Sequence, residues 1–166
     1  MLSVRAYIGI GSNLSDPVVQ VQQACQALAD LPASHLIARS PLYRSVPVGG
    51  PPDQPNYLNA VAALDTALNP DELLAALQAI EIQQGRVRTV RWGPRTLDLD
   101  VLLYGSLQRD DPRLTLPHPR LQERAFVLYP LYDIAPDLTI PGQGALAKLL
   151  RNCPPLPLAC LDRETQ

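Results

Sequence analysis

Residues 57–104 read YLNAVAALDTALNPDELLAALQAIEIQQGRVRTVRWGPRTLDLDVLLY. Tyr57 to Thr66 alternates as a strand, with Leu58, Ala60, Ala62 and Leu64 on one face and Tyr57, Asn59 and Val61 on the other. A helix follows: Asn69 is its cap, Pro70 its first residue, and Glu72 stands three residues after the cap. Leu73, Leu74, Leu77 and Ile80 form its buried stripe, and Gly85 marks a C-terminal stop. Leu97 to Tyr104 is a second strand, with Leu97, Leu99, Val101 and Leu103 facing the core and Asp98 and Asp100 facing the other way.

The N-terminal third repeats this order. Val4 to Ile10 is a strand that ends at Gly9 and at the turn Gly11-Ser12-Asn13. Asp16 caps a helix with Pro17 first, a stripe of Val18, Val21, Cys25, Leu28 and Leu31, and Pro32 as terminator. Leu36 to Ser40 is a short strand. Two strand–helix–strand units in series predict an α+β sandwich of the ferredoxin-like kind. Residues 41–56 form a long loop stiffened by five prolines. Beyond residue 104 the pattern predicts a proline-bearing loop through LTLPHPR, a helix-like stretch with Leu121 and Arg124, a strand from Phe126 to Leu131, a helix over Ala145 to Asn152, and a proline-rich tail.

The 166 residues are 46% hydrophobic and 18% charged, with a formal net charge of −2. That balance fits one domain, residues 1–166, with a real core, and excludes wholesale disorder and a general nucleic-acid coat. The 18 prolines exclude a helical bundle. Only Lys148 among the 14 basic residues is lysine; arginine suits bidentate phosphate contacts, and a GC-rich genome would give the same bias. Cys25, Cys153 and Cys160 lack metal-ligand spacing, which fits a reducing compartment. The opening MLSVRAYIGIGSNL has no basic segment before its short apolar run, and no stretch approaches the roughly 20 apolar residues of a membrane span. The expectation is a soluble, cytoplasmic protein.

Asp98 and Asp100 are the sharpest chemical feature. Two apart on a strand, they point the same way with Cα atoms roughly 6–7 Å apart. Such a pair repels unless a cation or an arginine intervenes, and magnesium favours a few carboxylates with waters and phosphates. Two ordinary acids on a solvent-facing strand is the alternative. Arg86, Arg88, Arg91 and Arg95 immediately precede them. Carboxylates with magnesium beside arginines suit transfer of a phosphorus-containing group. The same arginines with Trp92 also fit a single-stranded nucleic-acid patch or a solvated loop. Arg113, His118 and Arg124 add cationic or proton-bearing groups near a second proline-bracketed loop, where phosphate contact or a structural histidine both fit. Gly9-Ile10-Gly11 lacks the third glycine of a dinucleotide fingerprint, since Leu14 stands there, and reads as a strand end and turn. Tyr57 and Asn59 offer a ring and an amide, suited to a flat heterocycle or to an ordinary sheet surface.

Taken in order, YIGIGSNL, YRSVPVGG, DQPNYLNAV, IEIQQGRVR, RWGPRTLDLDVLLYG and LTLPHPRLQERAFVLYPL resemble the 6-hydroxymethyl-7,8-dihydropterin pyrophosphokinase family over residues 5–140. The resemblance implies a three-layer αβα sandwich around a mainly antiparallel sheet. It implies transfer of pyrophosphate from ATP to the pterin's hydroxymethyl oxygen, with AMP released, in folate biosynthesis. Asp98 and Asp100 would then hold two Mg²⁺ ions, with Arg86 and Arg95 steadying the phosphates under attack. Gln78, Glu81, Arg88, Arg95, Val101, Arg113, Leu114, Thr115, His118 and Arg124 match the ATP-side positions. Ser45, Val46, Val48, Tyr57, Asn59, Trp92, Asp98 and Phe126 match the pterin side, with the pterin between the rings of Tyr57 and Phe126. No side chain stands out as a general base. The partners implied are these two small molecules, for a monomer that binds neither nucleic acid nor membrane.

The chain departs from the family pattern at Ser45 for threonine, at Val46 for proline, and at Pro119 for an aromatic. Its Gly49–Pro52 stretch is one residue longer and its Arg86–Trp92 stretch one residue shorter. Two other readings compete: an RNA-binding module using the Arg/Trp loop, and a related Mg²⁺-dependent transferase with another acceptor.

Overall fold

The first strand, β1 (Val4–Ser12), sends Ala6, Ile8 and Ile10 into one core and Tyr7 into another, as strand alternation requires. The computed structural model describes residues 3–12, 17–45, 57–86, 97–119, 121, 125–153 and 158–160. After β1 come α1 (Pro17–Ala29), β2 (Ser34–Arg39), β3 (Tyr43–Ser45), β4 (Tyr57–Thr66), α2 (Pro70–Glu81), a π-helical turn (Ile82–Arg86) and β5 (Leu97–Tyr104). Two hairpins, β6 (Arg109–Asp110) with β7 (Thr115–Leu116) and β8 (Thr139–Ile140) with β9 (Gly144–Ala145), flank α3 (Ala125–Ile134). α4 (Leu146–Asn152) and β10 (Leu158–Cys160) follow.

The main sheet has six strands in the order β10-β3-β4-β1-β5, with β2 also paired to β4, and every pairing is antiparallel. Val21 and Leu28 of α1 and Leu73 and Leu77 of α2 pack on one face, against Leu58, Ala62 and Leu64. Leu128 and Leu131 of α3 and Leu146 of α4 pack on the other, against Tyr7, Val61 and Ala63. The expected three-layer α+β sandwich is therefore present, with β5-β1-β4-β2 as its ferredoxin-like centre. No helix among the described residues is long and apolar enough to cross a membrane.

Both long strands of the 57–104 unit and the start of its helix fall where the sequence puts them. Asn69 Oδ1 accepts from the Glu72 amide at 2.8 Å and Glu72 Oε1 accepts from the Asn69 amide at 2.9 Å, so the capping box is closed in both directions. Beyond Glu81 the helix does not stop at Gly85 but widens into the π turn.

Several expectations are corrected. β1 runs through Gly11 and Ser12 instead of turning at Gly9, because both residues pair with β4 and β5. Val18 is 37% exposed, and Ala24 takes a buried position in its stead. Within the supposed loop 41–56, β3 continues the line of β2 along β4. Ser40 makes the join: its N–H donates to the Val61 carbonyl at 2.8 Å and its Oγ accepts from the Val61 amide at 2.9 Å. Pro41, which has no N–H, then breaks the strand in two.

Leu103 also departs from expectation. A register shift sets Ile8 opposite Val101 but Tyr7 opposite Leu103, leaving Leu102 as an inserted residue. Such a bulge turns the side chains that follow by one step. Leu102 and Leu103 both enter the α3-side core, and Tyr104 returns to the α2 side. Residues 126–131 are helical, not a strand. With Ala125, Val127, Leu128, Pro130 and Leu131 all buried, α3 carries no polar stripe to reveal its period, and a short apolar run is ambiguous on periodicity alone. The tail contributes β10, paired to β3.

The capping box and the core make separable contributions. Asn69→Ala should lower unfolding free energy by about 1 kcal/mol, and Leu77→Ala, which empties a fully buried site, by about 2–5 kcal/mol. Urea unfolding at constant m-value measures both; equal losses would contradict this partition.

Candidate active site

The β5–β1–β4 register sets the site's floor. Asp98 lies opposite Gly11, which lies opposite Asn59; Asp100 lies opposite Gly9, which lies opposite Val61. Directly opposed residues in antiparallel strands share a face, with strands roughly 4.7–4.9 Å apart. Asp98 and Asn59 therefore stand on one face with only glycine between them. A Cβ built on Gly11 would lie 3.2 Å from Asn59 Oδ1, and one on Gly9 would lie 3.2 Å from Leu102 Cδ2. These glycines, which sequence reading took for a turn, keep the floor flat. The available signal was their alternation with Ile8 and Ile10, which belongs to a continuing strand.

Asp98 and Asp100 are half-buried, and Asn59 is only 7% exposed. Tyr43, opposite Asn59 on β3, donates its hydroxyl to Asp133 Oδ2 and so ties β3 to α3. Among the described residues no group of three or more His, Cys, Asp or Glu gathers at one point. Two carboxylates set two residues apart on one strand face match magnesium's habit of taking a few carboxylates and keeping waters and substrate phosphates in its shell. The donor set fits that ion.

β5 is an edge strand, and a cavity of about 220 Å³ opens along its outer side. Asp100, Val101, Arg113, Leu114, Thr115 and His118 line it, so the structure gathers five residues of the expected nucleotide side with one of the aspartates. Leu74 and Asp111 line it too and were not anticipated for the site. The wall is fixed by backbone contacts: the His118 amide donates to the Leu102 carbonyl at 3.0 Å, and β6 pairs with β7. The Leu116–Pro117 peptide bond is cis.

Glu81, 7% exposed at the end of α2, accepts from the Leu99 amide at 2.8 Å through Oε2. The carboxylate thus holds the backbone between the two aspartates. Gln78 is exposed on α2, one turn beyond Leu74 and outside the lining of this cavity. Phe126 is half-buried at the start of α3. Ser45 and Tyr57 lie opposite each other in the β3–β4 ladder, and Arg86 ends the π turn. Val46, Val48, Arg88, Trp92, Arg95 and Arg124 lie outside the described residues.

Electrostatics divides the nearby charges. The Arg109 guanidinium, helped by the Leu114 and Arg113 amides, holds the Asp111 carboxyl below the usual range. Asp111 and then Asp71 raise Arg109 in turn. Burial pushes the Cys25 thiol up, away from the thiolate a nucleophile needs. Chemically, the assembly offers an anionic pair able to hold a cation, a cavity with a guanidinium at its wall, and a flat floor with an amide.

Comparison with known proteins identifies the family. Residues 7–136 match the family described as 7,8-dihydro-6-hydroxymethylpterin-pyrophosphokinase (HPPK). A Pseudomonas aeruginosa protein named 2-amino-4-hydroxy-6-hydroxymethyldihydropteridine pyrophosphokinase is 58% identical over 150 residues, covering 90% of this chain and 92% of its own length. A Haemophilus influenzae protein of the same name is 49% identical over 149 residues, with the same coverage of 90% and 92%. Among solved structures, Plasmodium falciparum HPPK-DHPS with pteroate superposes with a TM-score of 0.71 at 14% identity. The match covers 90% of this chain but 42% of that longer one, and it supports the fold alone. The sheet, the aspartate pair and the length of the matches lead to one assignment: the chain belongs to the 7,8-dihydro-6-hydroxymethylpterin-pyrophosphokinase family.

Proposed function

We propose that the chain transfers the pyrophosphoryl group of ATP to the hydroxymethyl oxygen of 6-hydroxymethyl-7,8-dihydropterin, giving the pterin diphosphate and AMP for folate synthesis. The carrying observation is the position of the two aspartates: Asp98 stands on the glycine-floored face opposite Gly11, and Asp100, opposite Gly9, lines the cavity beside β5. ATP occupies the cavity, with Arg113 and His118 toward its anionic groups and Val101 and Leu114 against its apolar parts. The pterin lies on the floor, its edge read by Asn59 and its rings held between Tyr57 and Phe126. Ser45, Val46 and Val48 border it, and Trp92 closes over it.

Asp98 and Asp100 hold two Mg²⁺ ions on this reading. Magnesium held there would supply charge neutralisation for the triphosphate and acidify the attacking hydroxyl. The chain's own part is positioning. The Glu81 contact to Leu99 keeps both aspartates at fixed height on β5. Arg86 and Arg95 steady the charge that develops as the bond between the α- and β-phosphates breaks, with Gln78, Arg88, Thr115 and Arg124 completing the nucleotide side. The enzyme works as a cytoplasmic monomer, which light scattering of the purified protein checks by mass.

The direct test is nucleotide release from ATP with and without the pterin. AMP should form only with the pterin present. ADP as product would indicate ordinary kinase chemistry, and no pterin-dependent release would end this reading. Asp98→Asn and Asp100→Asn should each lower turnover more than about a hundredfold, beyond the loss expected from a merely supporting contact. Near-normal rates in either variant would remove the metal assignment. Asn59→Ala should raise the pterin KM by about tenfold, the scale of one lost buried hydrogen-bonding group, while leaving the ATP KM unchanged; parallel rises in both would point to general disorder instead.

A further inference from the structure

We infer that Asp111 is a positioning residue for the nucleotide wall and that Arg109, bridging Asp111 and Asp71, keeps that wall from repelling an anionic ligand. The proposal rests on the reading that the cavity beside β5 takes the nucleotide. Its basis is one carboxylate with three donors. Asp111 Oδ1 accepts from the Arg113 amide at 2.9 Å and the Leu114 amide at 3.0 Å, and Oδ2 accepts from Arg109 Nε at 2.5 Å. A side chain that bonds the amides two and three residues ahead sets the loop's shape itself, as in Asx-type turns. The residues so shaped, Arg113, Leu114 and Thr115, form the cavity wall.

Charge gives the second half of the argument. Arg109 Nη2 also lies 2.9 Å from Asp71 Oδ1, at the first turn of α2. Arg113 Nε approaches the same oxygen at 3.6 Å, and its side chain is 63% exposed against 24% for Arg109. Two carboxylates and two guanidiniums therefore balance locally. Arg109 is locked between both acids; Arg113 is loosely held and can turn to a ligand while Arg109 keeps its contact with each acid. Without Arg109, the Asp111 carboxylate would stand at the cavity wall with no guanidinium on its Oδ2, and like charge would repel a polyanion there. The sequence run RDDPR gives no hint of this division, since it reads as ordinary surface charge.

The test compares Asp111→Ala with Asp111→Asn, using calorimetric titration of a non-hydrolysable ATP analogue with Mg²⁺, no pterin present, and a separate pterin titration. Asp111→Ala should weaken analogue binding about tenfold or more, as expected when buried or shaped amides lose their acceptor. Pterin binding should stay within about twofold. Asp111→Asn should recover most of the affinity, because an amide oxygen still accepts from Arg113 and Leu114. Wild-type analogue affinity in Asp111→Ala, equal losses for both ligands, or an Asn variant as weak as Ala would each overturn the proposal. Should Asp111→Ala fail to fold, Arg109→Gln replaces it: weakened analogue binding with normal pterin binding supports the inference, and unchanged analogue binding overturns it. The analogue titration needs no turnover, so a wild type that binds the analogue but releases no AMP would fail the functional reading and leave this one standing.

Discussion

The register between β1 and β5 is the constraint on which the rest of the structure depends. It places Asp98 opposite Gly11 and Asp100 opposite Gly9, and it places Leu97, Leu99 and Val101 in the core under α2. A slip of one residue would bury both carboxylates and expose three large apolar side chains, because strand side chains alternate with period two. Core packing and site geometry are thus one choice. The apolar half of β5 fixes the direction of its polar half, and β1 continues the row to Asn59 on β4.

An edge strand that carries a site needs its free side managed. Unpaired edges invite pairing with other chains unless something covers them. Here the edge of β5 is occupied by side chain and loop: Glu81 takes the Leu99 amide, and the His118 amide takes the Leu102 carbonyl. Tyr104 adds a hydroxyl bond to the Leu68 carbonyl at 2.6 Å. Those contacts leave the stretch between Leu99 and Leu102 beside the cavity. Protection of the edge and construction of the cavity are done by the same residues.

What could be read in the sequence follows from how local its causes are. β4, β5 and the start of α2 were legible because alternation and a capping box are written within a dozen residues. The aspartate pair was legible for the same reason, and the residues of 113–118 were gathered by resemblance. α3 was missed because its exposed position over 126–131 is taken by an aromatic, Tyr129, so no polar residue marks the helical period there. β3 and β10 were missed because each is three residues long and exists only through its neighbours. The Leu102 bulge depends on β1, so β5 alone could not show that Leu103 changes faces. Gly11 as a floor, Leu74 as a wall and the Arg109–Asp71 pair all need residues brought together from distant parts of the chain.

The same logic explains why a chain with a net charge of −2 can still receive a polyanion. Net charge governs the far field, whereas binding responds to the groups within a few ångströms of the ligand, since screening at physiological salt acts over roughly 8 Å. Beside the cavity Asp71 and Asp111 are matched by Arg109 and Arg113, so they add no net repulsion. Arg5 and Asp65 form a separate pair at 2.5 Å on the opposite end of the β1–β4 ladder. On the floor side the register brings two further carboxylates, Asp98 and Asp100, onto one face of β5. On the proposed reading these carboxylates are where divalent cations would lie, since like charges of a triphosphate and two carboxylates repel unless a cation stands between them.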